Sequence, residues 1–403
     1  MGKRVIALTA TFFAATLGFK SFSYENPIST LSVDSGYFQD SARAFWRFGQ
    51  EVDGVVSTGF DYINSTFVGD YILTRLVLAG VSYWQWNRLE YGFFVANHEL
   101  GHGARFYSIG GTPIYHWNDE PWLGNIFSFW AGGFTRFGSG AQATSSTALT
   151  SPHIPPHSTF IIAAAGMNNS AHYAEFIEDQ ITYGGGGHLL QLPGYFRAKR
   201  DAATYVEITD GGQSGDVANV IADYAARGYS ISPNDLRTGT LVARWLSSTH
   251  WIFLVSAFKY AFKSDPMVNA FYLGNYRMPD FSHFITSRGV SYKIRSGYKA
   301  GTNYYPLSLE YVYKGSPTLE VNFGYRNGLN SQQNTLGYEL SVNSVGGFGA
   351  TVDTTLYQTP TLDFTMGTSL FTYKSLQGER LIGRYFGGGI AGYELWARLS
   401  YDY

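Results

Sequence analysis

The chain of 403 residues contains no cysteine. That excludes a disulfide framework and any thiolate-bound metal. Charge is also scarce: Asp, Glu, Lys and Arg make up 14% of the residues, against roughly a quarter in an ordinary globular domain. The net charge is -2 and the basic residues are scattered, so nothing points to a nucleic-acid partner. No charge-free apolar run in the body of the chain reaches the roughly 20 residues that a membrane-spanning helix needs. There is no G-x-S-x-G, no P-loop and no dinucleotide fingerprint. "GGGG" at 184–187 precedes no phosphate-binding helix and reads as a flexible turn.

Aromatic residues and glycine fill the space that charge leaves. Phe, Trp and Tyr together reach 17% and there are 47 glycines. Lipid-facing β-structure with aromatic girdles has this composition; a large soluble β-rich enzyme can share it. The first residues, "MGKRVIALTATFFAATLGFKSFSYENP", place Lys3 and Arg4 before an apolar run from Val5 to Phe19, then small residues. This is the pattern of a secretory signal peptide, with cleavage expected after Ser23. The missing cysteines suit a bacterial envelope protein.

The remainder divides into two textures. Residues 24–285 carry apolar residues at helical spacing, which predicts helices over 39–62, 68–106, 160–181, 214–228 and 232–266. Ser214 or Asp216 can cap the fourth and Gly228 can end it. Residues 131–159 and 183–194 read as loops or breakers. Residues 286–403 change to a period of two. Leu307, Leu309, Tyr311 and Tyr313 alternate with Ser308, Glu310 and Lys314; Leu319, Val321, Phe323 and Tyr325 alternate with Glu320, Asn322 and Arg326. Seven or eight such strands are expected, "LIGRYFGGGI" at 381–390 being the ambiguous one. A soluble antiparallel sheet gives the same alternation, but strand length and tyrosine content favour a transmembrane barrel. The expected fold is α+β: a mostly helical region (24–285) followed by an antiparallel β-meander or β-barrel of about 7–8 strands (286–403).

The chain ends in "GYELWARLSYDY", with Tyr393, Leu395, Ala397, Leu399, Tyr401 and Tyr403 alternating. This resembles the C-terminal strand of bacterial outer-membrane barrels. The resemblance implies an outer-membrane location, contact with outer-membrane lipid, and the barrel-assembly machinery as a partner.

The stretch "YGFFVANHELGHGARF" carries the chemistry. His98 and His102 stand four apart, on one face of a helix, close enough to share an ion. Glu99 lies beside them. This is H-E-x-x-H, in which two histidines bind zinc and the glutamate is general base. Gly101 and Gly103 permit close packing. The stretch resembles zincin metallopeptidases in their "HELGH" form, which implies Zn2+ and a protein or peptide substrate. A third ligand is then required. "FIIAAAGMNNSAHYAEFIEDQI" (160–181) offers Glu175 and His172, which share a helical face, with Glu178 and Asp179 behind them. "AAAGMNN" also resembles the small-residue stretch of membrane-embedded site-2-type proteases. His153 and His157 are four apart too, but prolines preclude a regular helix there. His116, His188, His250 and His283 are isolated.

The expected protein is therefore an outer-membrane zinc metallopeptidase acting on envelope proteins. Two alternatives stand: a non-enzymatic component of an envelope or secretion complex with a structural or vestigial metal site, and an inner-membrane intramembrane protease. The terminal aromatic gives a direct check. Deleting Tyr403 should impair assembly, seen as loss of heat-modifiable mobility on gels and of outer-membrane fractionation.

Overall fold

In the computed structural model, a short strand, β1 (Thr30–Asp34), precedes the helical region. There follow α1 (Ser41–Ile63), extended by a π-helical segment, and α2 (Ile72–Ser108). Next come β2 (Gly111–Trp117), α3 (Ile126–Thr135) and β3 (Ala143–Leu149), the two strands pairing as an antiparallel ribbon. After α4 (Ser158–Tyr183) and the two-residue β4 (Gly187–His188) comes a run of shorter helices. These are α5 (Leu192–Ala198), α6 (Asp201–Ile208), α7 (Gly215–Ala226), α8 (Pro233–Leu246) and α9 (Ser248–Lys263). The strands β5 (Met267–Val268) and β6 (Tyr272–Leu273) lead into the meander. Its members are β7 (Tyr276–Thr286), β8 (Gly289–Ala300), β9 (Asn303–Gly315), β10 (Thr318–Arg326), β11 (Leu336–Asn343), β12 (Phe348–Gln358), β13 (Leu362–Thr372) and, after the short β14 (Arg384–Tyr385), β15 (Ala391–Asp402).

The structure describes residues 30–34, 41–68, 71–108, 111–117, 126–135, 143–149, 158–209, 211–328, 336–359, 362–372, 374–377, 384–385 and 391–402. The signal peptide, His153, His157 and Tyr403 lie outside these.

The architecture is α+β, with eight long antiparallel strands, seven of them, from β8 onward, in the stretch of period two. The region expected to be mostly helical (24–285) also holds the long strand β7, and the stretches read as loops or breakers hold β3 (in 131–159) and β4 with the start of α5 (in 183–194). Two further expectations need correction. The sheet is not a closed barrel: its order runs β1-β15-β13-β12-β11-β10-β9-β8-β7-β6, and β1 and β6 do not meet. The outer edge of β15 is taken up by β1, from Thr30↔Asp402 to Asp34↔Arg398, and by β14 at Tyr393 and Gly392. β7 has the stub β6 on its outer side. No strand bridges these edges among the described residues.

The second correction concerns 232–266, which is two helices. Ser247 breaks it with an extended backbone (φ -65°, ψ 129°). Its Oγ accepts from the Phe281 N–H (2.9 Å) and donates to Ala243 O (2.8 Å). Asp280 of β7 then caps α9, accepting from the Thr249 N–H at 2.8 Å. A serine and an aspartate thus replace the helical hydrogen bonds that the apolar pattern would have continued.

The sheet wears its side chains inside out. On β9 and β10, Leu307, Leu309, Tyr311, Leu319 and Phe323 are exposed. Between them Ser308, Glu310, Glu320 and Asn322 are buried. α4 lies along this polar inner face. Lys293 Nζ meets Glu175 Oε2 at 3.2 Å, Arg295 Nη1 meets Glu178 Oε2 at 3.0 Å, and Arg295 also pairs with Asp179. Lys199 reaches Glu178 from the other side at 2.7 Å. Two apolar clusters sit on the helical side. One is built on Phe45, Phe93, Leu100, Tyr173 and Ile177; the other on Phe160, Val217, Tyr224 and Leu236, against Ile285 and Val290 of the β7–β8 hairpin. No helix among the described residues is long and apolar enough to cross a membrane.

Arg295 joins the sheet to two acids of α4. Arg295→Leu removes one of two cations from buried Glu178 and leaves Lys199 on it, so it should destabilise the fold by about 1–3 kcal/mol, measured by denaturant unfolding of the purified protein.

Candidate metal centre

α2 buries its C-terminal half because that half is apolar or small on most sides. Phe93, Phe94, Ala96, Leu100 and Ala104 are all buried. α4 crosses it closely. A Cβ at Gly101 would fall 2.7 Å from Ala165 O and from the Asn169 Cβ, so only glycine allows this approach. Amides lock the crossing. Asn169 Nδ2 donates to Asn97 O (2.6 Å), Asn97 Nδ2 donates to Ser170 Oγ (3.3 Å), and Trp46 Nε1 donates to Asn97 Oδ1 (2.6 Å).

His98 and His102 project from this helix with 6% and 5% exposure, their rings 4.8 Å apart. Donor atoms of His98, Glu99 and His102 all lie within 4.8 Å of one another, a group that could hold a metal ion. The ring nitrogens are differentiated. His102 Nδ1 lies 2.7 Å from Ile162 O, a carbonyl that can only accept, so Nδ1 carries the proton and Nε2 offers a lone pair when the ring is neutral. His98 Nδ1 lies 3.3 Å from Asp201 Oδ2. Both Nε2 atoms then converge on one oxygen, Asp216 Oδ2, at 3.3 Å from His98 and 2.9 Å from His102. α6 supplies Asp201 and also Tyr205, whose ring stacks on His98 at 4.7 Å and 14°. Asp216 stands in the first turn of α7, behind Gly215 at φ +66°. Gly166 of α4 floors the pair: a Cβ there would come within 2.5 Å of His98 Nε2.

The electrostatics follow from this crowding. Burial opposes protonation of both imidazoles, but Asp201 and Asp216 outweigh it at His98, and chiefly Asp216 at His102, so both are raised. Burial pushes Asp216 up, yet His102 and His98 hold it well below the usual carboxylate range. Burial, with Asp216 and Glu99 nearby, raises the Tyr205 hydroxyl. A divalent cation held by both Nε2 atoms would displace the protons that this carboxylate favours there.

The third ligands expected from sequence lie elsewhere. Gly166 is the α4 residue beneath His98; His172 and Glu175 follow it on the same helix by about 9 and 13 Å at 1.5 Å per residue. His172 packs on Phe284 (4.9 Å), with Nδ1 3.5 Å from Glu175 Oε2. Glu175 faces Lys293, and Glu178 and Asp179 face Arg295. The pairing with sheet cations draws this whole acidic row away from α2. Asp216, Asp201 and Tyr205 were the residues not legible beforehand. Asp216 did show itself as an acid at a helix start, but that signals a cap as readily as a ligand. Of the isolated histidines, His188 pairs with Asp61 (3.0 Å), His250 packs against Phe196 and Trp245, and His283 lies 3.3 Å from the Tyr313 hydroxyl.

Compared with known proteins, the chain matches no family model, no curated protein and no solved structure.

Gly101→Ala forces a methyl against the backbone of α4. It should destabilise the fold by about 1–3 kcal/mol, seen as a lower unfolding midpoint in denaturant.

Proposed function

We propose that the protein is a zinc metallopeptidase of the bacterial outer membrane, with His98, His102 and Asp216 as metal ligands and Glu99 as general base. The observation that carries this is the convergence of two Nε2 atoms on Asp216 Oδ2. Tetrahedral zinc, with ligand bonds of about 2.0–2.2 Å, sets its ligand atoms about 3.3 Å apart. The 3.3 Å separation at His98 fits that edge, and the 2.9 Å separation at His102 is a hydrogen-bond distance that would open by about 0.4 Å around an ion. The donor set, two imidazoles and a carboxylate, is also one that zinc takes. When bound, zinc supplies Lewis acidity, lowering the pKa of water toward about 7 and polarising a carbonyl.

The chain's own residues do the rest. Asp201 and Ile162 O hold the two rings by their Nδ1 atoms and so orient Nε2. Glu99 stands one residue from His98, where its carboxylate can take a proton from water and return it to the leaving amine. The Tyr205 ring covers one face of His98. The substrate is an extended or unfolded segment of an envelope protein, since a folded one could not reach buried histidines. The outer-membrane reading is supported by the apolar exposed face of the sheet and its polar, ion-paired inner face. The inner-membrane alternative finds no spanning helix among the described residues.

A second reading, a structural metal site, is favoured by the burial of both rings and by the carboxylates packed around them. Metal analysis and hydrolysis assays separate the two. His98→Ala and Asp216→Ala should abolish stoichiometric zinc, while Asp201→Asn should weaken its affinity about 10–100-fold. Glu99→Gln should retain zinc while cleavage of an unfolded protein falls about 10²-fold or more. Zinc bound without any cleavage by the wild type would leave the structural reading standing. Unchanged zinc in Asp216→Ala would remove that residue as a ligand.

A further inference from the structure

Two helices carry an apolar stripe on the wrong side. In α9, Trp251, Leu254, Val255, Phe258 and Phe262 are spaced as one helical face, and that face is exposed, Phe258 by 65% and Phe262 by 66%. The opposite face is buried and mixed: Ile252, Tyr260 and Phe253 join the apolar cluster of the helical side, beside Thr249, His250 and Ser256, and the Tyr260 hydroxyl donates to Asn64 Oδ1 at 3.1 Å. The first turns of α2 repeat the arrangement. Leu73, Leu76, Val77 and Val81 are exposed, with Tyr71 just before them and Trp84 just after. The charge of this segment, Arg75, turns inward to bond Ser264.

The two helices are neighbours and antiparallel. Arg75 meets Ser264 at one end, and the Tyr83 and Phe253 rings lie 6.1 Å apart further along. α9 packs beside β7 at one end of the sheet order, and α2 packs beside β14, which pairs with β15 at the other. α9 thus flanks the β7 end of the sheet, and α2 touches both α9 and the β14–β15 end.

We infer that α9 and residues 71–84 complete a lipid-facing ring with the sheet, their exposed stripes lying against acyl chains of the bilayer. This rests on the outer-membrane reading above and adds helices to the wall. The stripes continue the apolar outer face of the strands, while their inner faces pack on the apolar cluster through Leu78, Ile252 and Tyr260. The 16 residues of α9 span about 24 Å, the height of the apolar band of an outer-membrane barrel, about 25 Å. Neither helix needs the hydropathy of a lone spanning helix, because only one side of each meets lipid. Of the lysines of α9, Lys263 lies in the last turn and half-buried Lys259 one turn before it, where long side chains can reach a headgroup layer. His98 and His102 lie further along α2, about 21 Å or more beyond Trp84, outside the stripe.

Because the chain has no cysteine, single cysteines report cleanly. Val77→Cys and Phe258→Cys test the helices, Leu309→Cys the sheet, and Arg237→Cys a wet control. Each full-length variant carries one fluorophore and is reconstituted in phosphatidylcholine–phosphatidylglycerol vesicles. Doxyl-labelled lipid should quench positions 77 and 258 to within about twofold of position 309, with little quenching by iodide; position 237 should show the reverse. Iodide quenching at 77 and 258 with lipid quenching at 309 would overturn the ring and leave the membrane reading intact. Shielding of 77 and 258 from both quenchers would mean that protein, such as a second copy of this chain, covers the stripe, and would also overturn it. Absence of lipid quenching at all positions would overturn both readings.

Discussion

Lys293 and Arg295 point away from the apolar side of the sheet, into a space with little water, and each must end on an acid. Both end on α4, at Glu175, Glu178 and Asp179. An uncompensated charge at that depth is far more costly than a shifted helix, so the ion pairs set how far α4 slides along the sheet. The rest of the helix follows. With its acidic half held there, Asn169 arrives at Asn97 and Gly166 arrives under His98. Positioning of the histidine pair and pairing of the sheet cations are thus the two ends of one rigid body.

That linkage explains which parts of the fold were legible. Strands from β8 onward follow the period of two because one face is apolar and the other polar, whichever face meets water. Closure was not legible: alternation specifies which way side chains point, and leaves open whether the outer edge of β15 pairs with β7 or with a distant strand such as β1. The split at Ser247 was hidden because flanking apolar residues keep helical spacing across it; the break depends on Asp280 and Phe281, which tertiary folding brings there.

At the metal centre, spacing could identify whatever one helix presents. His98, Glu99 and His102 share three or four residues of a single helix, and local geometry decides their meeting. Glu175 and His172 shared a face with each other, which was visible, but which partner that face would meet depended on Lys293 and Arg295. Asp216 reaches the pair through the turn before α7 and the packing of Val217 and Val220 beneath it. Long-range packing of that kind leaves no mark at a fixed spacing, so the acid that looked like a helix cap sits between the rings.

The pairing of β1 with β15 has a consequence for how the molecule forms. These strands come from opposite ends of the described sequence, yet lie in register over five residues, Thr30 to Asp34. Contacts of such high sequence separation close slowly, because the loop entropy is lost before the contact is made. Until then β15 presents a bare row of amides and carbonyls beside an apolar surface, a template for association with other chains. β1 leaves the ribosome well before β15, so this pairing can close only after the strands between them have been made.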